Sequence, residues 1–193
     1  GAGLDTFAWR NPNIDMAVFE VDHPSTQQFK IQRLEKAGLE RPKHLTFVAM
    51  DFAKDLSMEK LIAAGFDPHK KTVFSLLGVT YYLTKDILQQ LLNTLFKDLP
   101  KGSSIVFDFA DEHLFTEKGI HNRVEKMLQL AYASGEPMKL AIPLNELETL
   151  LEKQQLLIYE HLSPEDIQHQ FFAGRDDDLE AFETIHYIHA VKN

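Results

Sequence analysis

The sequence predicts an α/β fold, a mainly parallel, doubly wound sheet with helices on both faces. Three observations predict it. Short runs rich in β-formers alternate along the chain with amphipathic segments. Most of those runs are apolar nearly throughout, as strands buried on both faces are. The amphipathic segments between them begin and end at residues that cap helices.

The elements follow in order. "MAVFEV" (Met16 to Val21) reads as a buried strand. Pro24 to Ala37 reads as a helix carrying Phe29, Ile31 and Leu34 among charged and amide residues, closed by Gly38. "HLTFVAM" (His44 to Met50) is a second strand, and "SMEKLIAAG" (Ser57 to Gly65) a helix with a Ser cap and a closing Gly. "KTVFSLLGV" (Lys71 to Val79) is a third strand, after which Thr84 caps a helix running to Leu99 before Pro100. "SSIVFDFA" (Ser103 to Ala110) is a fourth. Residues 111–142 are less regular, helical around Val124 to Ala133 with a turn at "SGEP", and read as a lid or insertion. Asn145 and Glu148 stand at capping-box spacing in the next helix, and "LLIYEHL" follows as a strand. Ser163, Pro164 and Asp166 open a further helix, and an alternating strand, Phe182 to Val191, comes last.

With 193 residues and 44% hydrophobic content, a single domain spanning 1–193 is expected. No run approaches the length of a membrane helix and no signal-peptide pattern opens the chain, so a cytoplasmic protein is expected. Cysteine is absent, which excludes disulfides, thiolate metal sites and cysteine nucleophiles. A net charge of −9 argues against a nucleic-acid partner, because displacing counterions from phosphates needs clustered Lys and Arg. A small molecule or peptide is the expected partner.

The opening "GAGLDTFAWR" has the glycine spacing of a nucleotide-cradling turn. Such turns leave a strand, so a strand upstream of residue 1 is expected. In doubly wound sheets an acid about 20 positions after the glycines binds a ribose. Glu20 and Asp22 stand there. The two are expected to point in opposite directions, leaving Asp22, nearer the strand's carboxyl end, as the ribose ligand. A dinucleotide site would carry Gly at position 6, which is Thr, and Asp5 would set a carboxylate against a pyrophosphate. S-adenosylmethionine has no phosphate and carries a sulfonium and an amino group, so an acid-bearing turn favours it.

"GAGLDTFAWR", "VFEVDHP", "VAMDF", "LLGVTYYL" and "FFAGRDD" together resemble, in order and spacing, the leucine carboxyl methyltransferase-like S-adenosylmethionine-dependent methyltransferases, and within them the bacterial-type O-methyltransferase branch. The resemblance covers nearly the whole chain. It implies a Rossmann-like class I methyltransferase sheet with a reversed last strand. It makes Gly1 and Gly3 the approach to the cofactor's methionine part and Asp22 the ribose ligand. It sets Asp51 and Phe52 at the adenine and lays the strand ending in "LLGVTYYL" under the sulfonium. Ala2, Asp5, Glu20, Leu76 and Leu77 complete the expected cofactor set. Many relatives carry Glu where this chain has Leu77, so contacts there would come from backbone carbonyls. The basic residues that the family places upstream of the glycine turn, to hold the cofactor's carboxylate, are not in this sequence. The implied product is S-adenosylhomocysteine, and the implied substrate a small-molecule or peptide hydroxyl or carboxylate.

Methyl transfer from a sulfonium requires alignment and exclusion of water. A carboxylate acceptor needs no base; a hydroxyl acceptor does, and Tyr82, Asp108, Asp111 and His113 are candidates, with Tyr82 and His113 foremost. Tyr81 and Tyr82 could equally be packing residues, and Asp108 and Asp111 turn caps. His186 and His189, three apart on a strand, face opposite sides and cannot share an ion, so no metal is expected. "RDDD" (Arg175 to Asp178) reads as a solvated turn, and Met127, Leu128 and Leu130 as core before pocket. Two other functions remain open: a non-catalytic nucleotide-binding module of the same fold, and an NAD-dependent oxidoreductase.

Overall fold

The computed structural model describes residues 1–177 and 179–193, in two units, Gly1–Lys70 and Lys71–Asn193. Of the "RDDD" turn, Asp178 lies outside the described residues, and within the rest Arg175 pairs with Asp177.

The first unit holds α1 (Phe7–Arg10), β1 (Val18–Asp22), α2 (Pro24–Lys36), β2 (Leu45–Ala49) and α3 (Met58–Ala63). β1 and β2 pair in parallel from Val18 opposite Leu45 to Asp22 opposite Ala49. α2 starts where expected, with Pro24 at its first position and the His23 ring accepting the Ser25 N–H. Its inward face differs from the expected one. Phe29 is exposed, while Gln27 and Lys30, one turn apart, are buried. The reason is polar: Gln27 Nε2 donates to the Glu20 carbonyl and Lys30 Nζ to the Glu20 carboxylate.

The second unit holds β3 (Val73–Leu76), α4 (Lys85–Phe96), β4 (Ser104–Ala110), α5 (Arg123–Ala133), α6 (Leu144–Glu152), β5 (Leu156–Leu162), α7 (Pro164–Ile167) and β6 (Ile185–Lys192). Its sheet runs β3-β4-β6-β5. β3 and β4 are parallel, and β6 lies antiparallel to both its neighbours, so the expected reversed last strand is present. α4 buries Leu88, Leu91, Leu92 and Phe96, and α6 buries Leu147, Leu150 and Leu151, at the spacing of one helix face. Lys192 is buried with its ammonium on the carbonyls of Phe96 and Lys97, where the end of α4 concentrates negative dipole.

Two local expectations change. β3 stops at Leu76 because Gly78 adopts a positive φ of 72° and Thr80–Tyr82 form a 3-10 turn. The capping box anticipated at Asn145 and Glu148 does not form. Pro143 itself occupies the cap position, the helix starts two residues earlier than an Asn145 cap requires, and Asn145 Oδ1 accepts from its neighbour Glu146. The reciprocal pair occurs instead at Ser163 and Asp166. Among the described residues no helix is long and apolar enough to cross a membrane.

Candidate active site

In the first unit the glycine turn and the end of β1 are joined directly. Gly3, at φ 51°, donates its N–H to Asp22 Oδ2 at 2.5 Å, and His23 donates to Oδ1 at 2.6 Å. Ala2 donates to the Val21 carbonyl, which fastens the turn along the strand. The Asp22 carbonyl in turn accepts from Met50, locking the strand end to the residue after β2. Each carboxylate oxygen of Asp22 thus spends one lone pair on the backbone and keeps another.

Glu20 does not point away from Asp22, as expected from sequence. Residues two apart on a strand share a face, and both are buried on it. What separates them is the partner. Glu20, 7% exposed, meets Lys30, 3% exposed, with Nζ 2.5 Å from Oε2. Burial pushes the Glu20 carboxyl up while Lys30 opposes that rise. Lys30 Nζ also donates to the Asp5 carbonyl and lies 5.5 Å from the Trp9 ring centroid, so the pair ties helix, strand and turn together. The Asp5 carboxylate accepts the Phe7 N–H at the start of α1 and pairs with Arg10.

Asp51 follows β2 by two residues, with Phe52 half-buried beside it. Its Oδ1 accepts the Ala53 N–H at 2.9 Å, and Oδ2 lies 3.1 Å from Lys54 Nζ and 3.6 Å from His23 Nε2. The Ala53 N–H, then Lys54, hold this carboxyl below the usual range.

In the second unit, Leu76 is buried at the end of β3 and Leu77 is 47% exposed. Asp108, buried near the carboxyl end of β4, organises the turn that follows them. Its Oδ1 accepts the Gly78 N–H at 2.8 Å, its carbonyl accepts the Thr80 hydroxyl at 2.5 Å, and the Tyr81 hydroxyl reaches Oδ2 at 3.4 Å. Burial drives the Asp108 carboxyl up against these hydrogen bonds, and drives the Tyr81 phenol up as well. Tyr82 meets Tyr81 edge to face at 5.0 Å. Both pack against the buried cluster of Ala110, Leu114, Val124, Ala131 and Met138, which gathers the 111–142 segment onto this turn. Met127 and Leu128 pack there too, whereas Leu130 is exposed. Lys139 and Leu140 both donate to the Tyr81 carbonyl.

His113 is exposed and joins the site through its backbone, its N–H donating to Asp111 Oδ1. The other oxygen of Asp111 meets His186, and His186 meets His161. Sequence reading passes over His161, because nothing local links positions 161, 186 and 111. The signal available was that each falls at a strand end. His189 lies away from them, edge to face with Tyr159.

Residues 1–96 match the family model for leucine carboxyl methyltransferase. The chain is 58% identical over 194 residues to the Bacillus subtilis protein YktD, provisionally named an S-adenosyl-L-methionine-dependent methyltransferase. That match spans all of this chain and 64% of the relative. A Mycobacterium marinum protein with the same provisional name is 29% identical over 146 residues, 74% of this chain and 45% of that protein. The chain therefore spans about half to two-thirds of the length of these relatives. Among solved structures, a DUF574 family protein from Streptomyces avermitilis gives a TM-score of 0.61 at 16% identity, over 91% of this chain and 65% of that one. Magnesium protoporphyrin IX methyltransferase from Synechocystis, solved with SAH bound, gives 0.58 at 12% identity, over 100% of this chain and 71% of that one. These likenesses establish the Rossmann-like methyltransferase fold.

Proposed function

We propose that the chain is a member of the leucine carboxyl methyltransferase family and works as an S-adenosylmethionine-dependent methyltransferase, moving a methyl group to a hydroxyl or carboxylate oxygen of a small molecule or peptide; the match of residues 1–96 to that family and the 58% identity to YktD support this reading. The observation that carries this reading is the link from Gly3 to Asp22, which sets a carboxylate with spare lone pairs at the lip of a glycine turn. A ribose diol is the group such a carboxylate holds. Asp51 and Phe52, beyond β2, supply an acceptor and an apolar ring for adenine. Gly1, Ala2 and Gly3 offer backbone without bulk to the methionine end.

The cations of this turn speak against a dinucleotide. Lys30 is committed to Glu20 and Arg10 to Asp5, so neither is spare for a diphosphate. This leaves Glu20 and Asp5 as supports of the turn rather than ligands. In the second unit, Leu76 is buried and Leu77 offers only backbone and apolar surface, with no acidic group.

When bound, the cofactor supplies an electrophilic methyl group. The residues of the chain then bind and orient, and within the second unit the 111–142 segment, packed on Tyr81 and Tyr82, covers that turn as a lid that excludes water there. Calorimetric titration of the full-length protein with S-adenosylhomocysteine is the test. Saturable binding, with no heat from NAD, is the expected outcome; binding of NAD alone would overturn the reading. Binding without turnover on any acceptor would instead favour a non-catalytic module, which Leu77 in place of an acid makes the relevant second reading.

A further inference from the structure

Three strands of the second unit each bring one side chain to a single hydrogen-bonded row. Asp111 directly follows β4, His161 is next to last in β5, and His186 is second in β6. Because β6 runs antiparallel, its start lies beside the ends of the other two: Ala110 is opposite Ile185 and Leu162 opposite Tyr187. This is the carboxyl edge of the sheet, where ligands bind in open α/β folds. His186 Nε2 lies 3.2 Å from Asp111 Oδ2, and His161 Nε2 lies 2.9 Å from His186 Nδ1. The two imidazoles are 10° from parallel with centroids 5.1 Å apart, and Phe109 stacks on His186 at 4.9 Å. His186 and Asp111 are mostly buried, at 14% and 15% side-chain exposure, so neither swings freely.

With Asp111 ionised and both rings neutral, one arrangement of protons satisfies the row. A carboxylate only accepts, so His186 donates from Nε2 and its Nδ1 accepts. His161 must then donate from Nε2, which leaves its Nδ1 as the unprotonated nitrogen at the outer end. We propose, resting on the methyl-transfer reading above, that His161 is the proton acceptor of the reaction, positioned by His186 and Asp111, and that the methyl acceptor is therefore a hydroxyl. A carboxylic acid is already ionised at neutral pH and gives such a row nothing to do, whereas a phenol, with a pKa of about 10, needs it. In the step, a lone pair of the hydroxyl oxygen forms the new O–CH3 bond. The S–CH3 bond breaks with its electron pair going to sulfur. The hydroxyl proton moves to His161 Nδ1, and Asp111 stabilises the resulting imidazolium through His186. Burial and then His186 hold the His161 ring below its usual range, which keeps it ready to accept; Asp166 on α7 and Glu148 on α6 act in the opposite direction.

Nitrogen-15 NMR of histidine-labelled full-length protein reads the proton positions without any acceptor present, and should find both His161 and His186 protonated at Nε2. Asp111→Asn should move the titration of His161 to lower pH and lower kcat at unchanged KM, a split that a purely structural role would not produce. His161→Asn should bind S-adenosylhomocysteine within about twofold of the unaltered protein, yet methylate a panel of phenols at least about 100-fold more slowly. A proton on His161 Nδ1, phenol methylation unaffected by His161→Asn, or methylation confined to carboxylic acids would each overturn the proposal. Failure of the unaltered protein to bind S-adenosylhomocysteine would instead remove the methyl-transfer reading on which it rests.

Discussion

The backbone N–H of Gly3 donates to the carboxylate of Asp22 across nineteen residues of chain, at 2.5 Å. One side chain thereby shapes the turn and offers the polar group that a ribose would use. Asp22→Ala should lower affinity for S-adenosylhomocysteine at least about tenfold, since a buried hydrogen bond to a charged group is worth about 1.5–3 kcal/mol. Asp22→Asn, which keeps one acceptor oxygen, should lose less. Calorimetry on the two variants checks the order.

The Lys30 and Glu20 pair should behave as a buried ion pair. Lys30→Met alone strands a carboxylate and should cost about 3–5 kcal/mol, while Lys30→Met combined with Glu20→Leu should recover most of that. Urea denaturation of both variants gives the comparison, and equal losses would show that the charges of Lys30 and Glu20 are not coupled.

Asp108 links stability to pH. Its carboxyl is raised in the folded chain by burial, so its contribution is full below the ordinary aspartate range and is lost as pH rises through the raised value. Asp108→Asn keeps an acceptor for Gly78 but does not titrate. The variant should therefore gain on the unaltered protein as pH rises from about 4 to about 8. A constant difference across that range would contradict the assignment.

Arg123 and Glu183 fasten the 111–142 segment to the approach to β6. Arg123 Nε lies 3.0 Å from Glu183 Oε2, its guanidinium also donates to the carbonyls of Glu180 and Ala181, and the Ile120 N–H reaches Glu183 Oε1 at 2.7 Å. Burial pushes Glu183 up, but Arg123 and the Ile120 N–H outweigh it and hold the carboxyl low. That contribution is present above the ordinary glutamate value and disappears as pH falls through the lowered one. Arg123→Ala should cost about 1–3 kcal/mol and speed hydrogen exchange across residues 119–133 before the rest of the second unit.

Most strands were legible because their information is local. "LLIYEHL" is β5 residue for residue, and Thr84 and Ser57 cap the helices they precede. Local pattern fails where a distant partner outweighs it. The outward Phe29 and inward Lys30 reverse the apolar reading of α2, because Glu20 waits on β1. α1 is a single turn held by Asp5, too short to carry a periodic pattern. The glycine turn and Asp22 could be paired from spacing alone, since a strand fixes the distance between them. The His161, His186 and Asp111 row could not, because it depends on how β6 inserts into the sheet.

That insertion also sets an order of events. β6 separates β4 from β5 yet follows both in sequence, so during synthesis each of those strands emerges with an open edge. Exposed edges invite pairing with other chains. Until β6 is made and has left the ribosome, both edges stay bare at once. Protection by chaperones should matter most in that interval, and translation stalled before residue 185 should yield aggregates rather than a smaller folded unit.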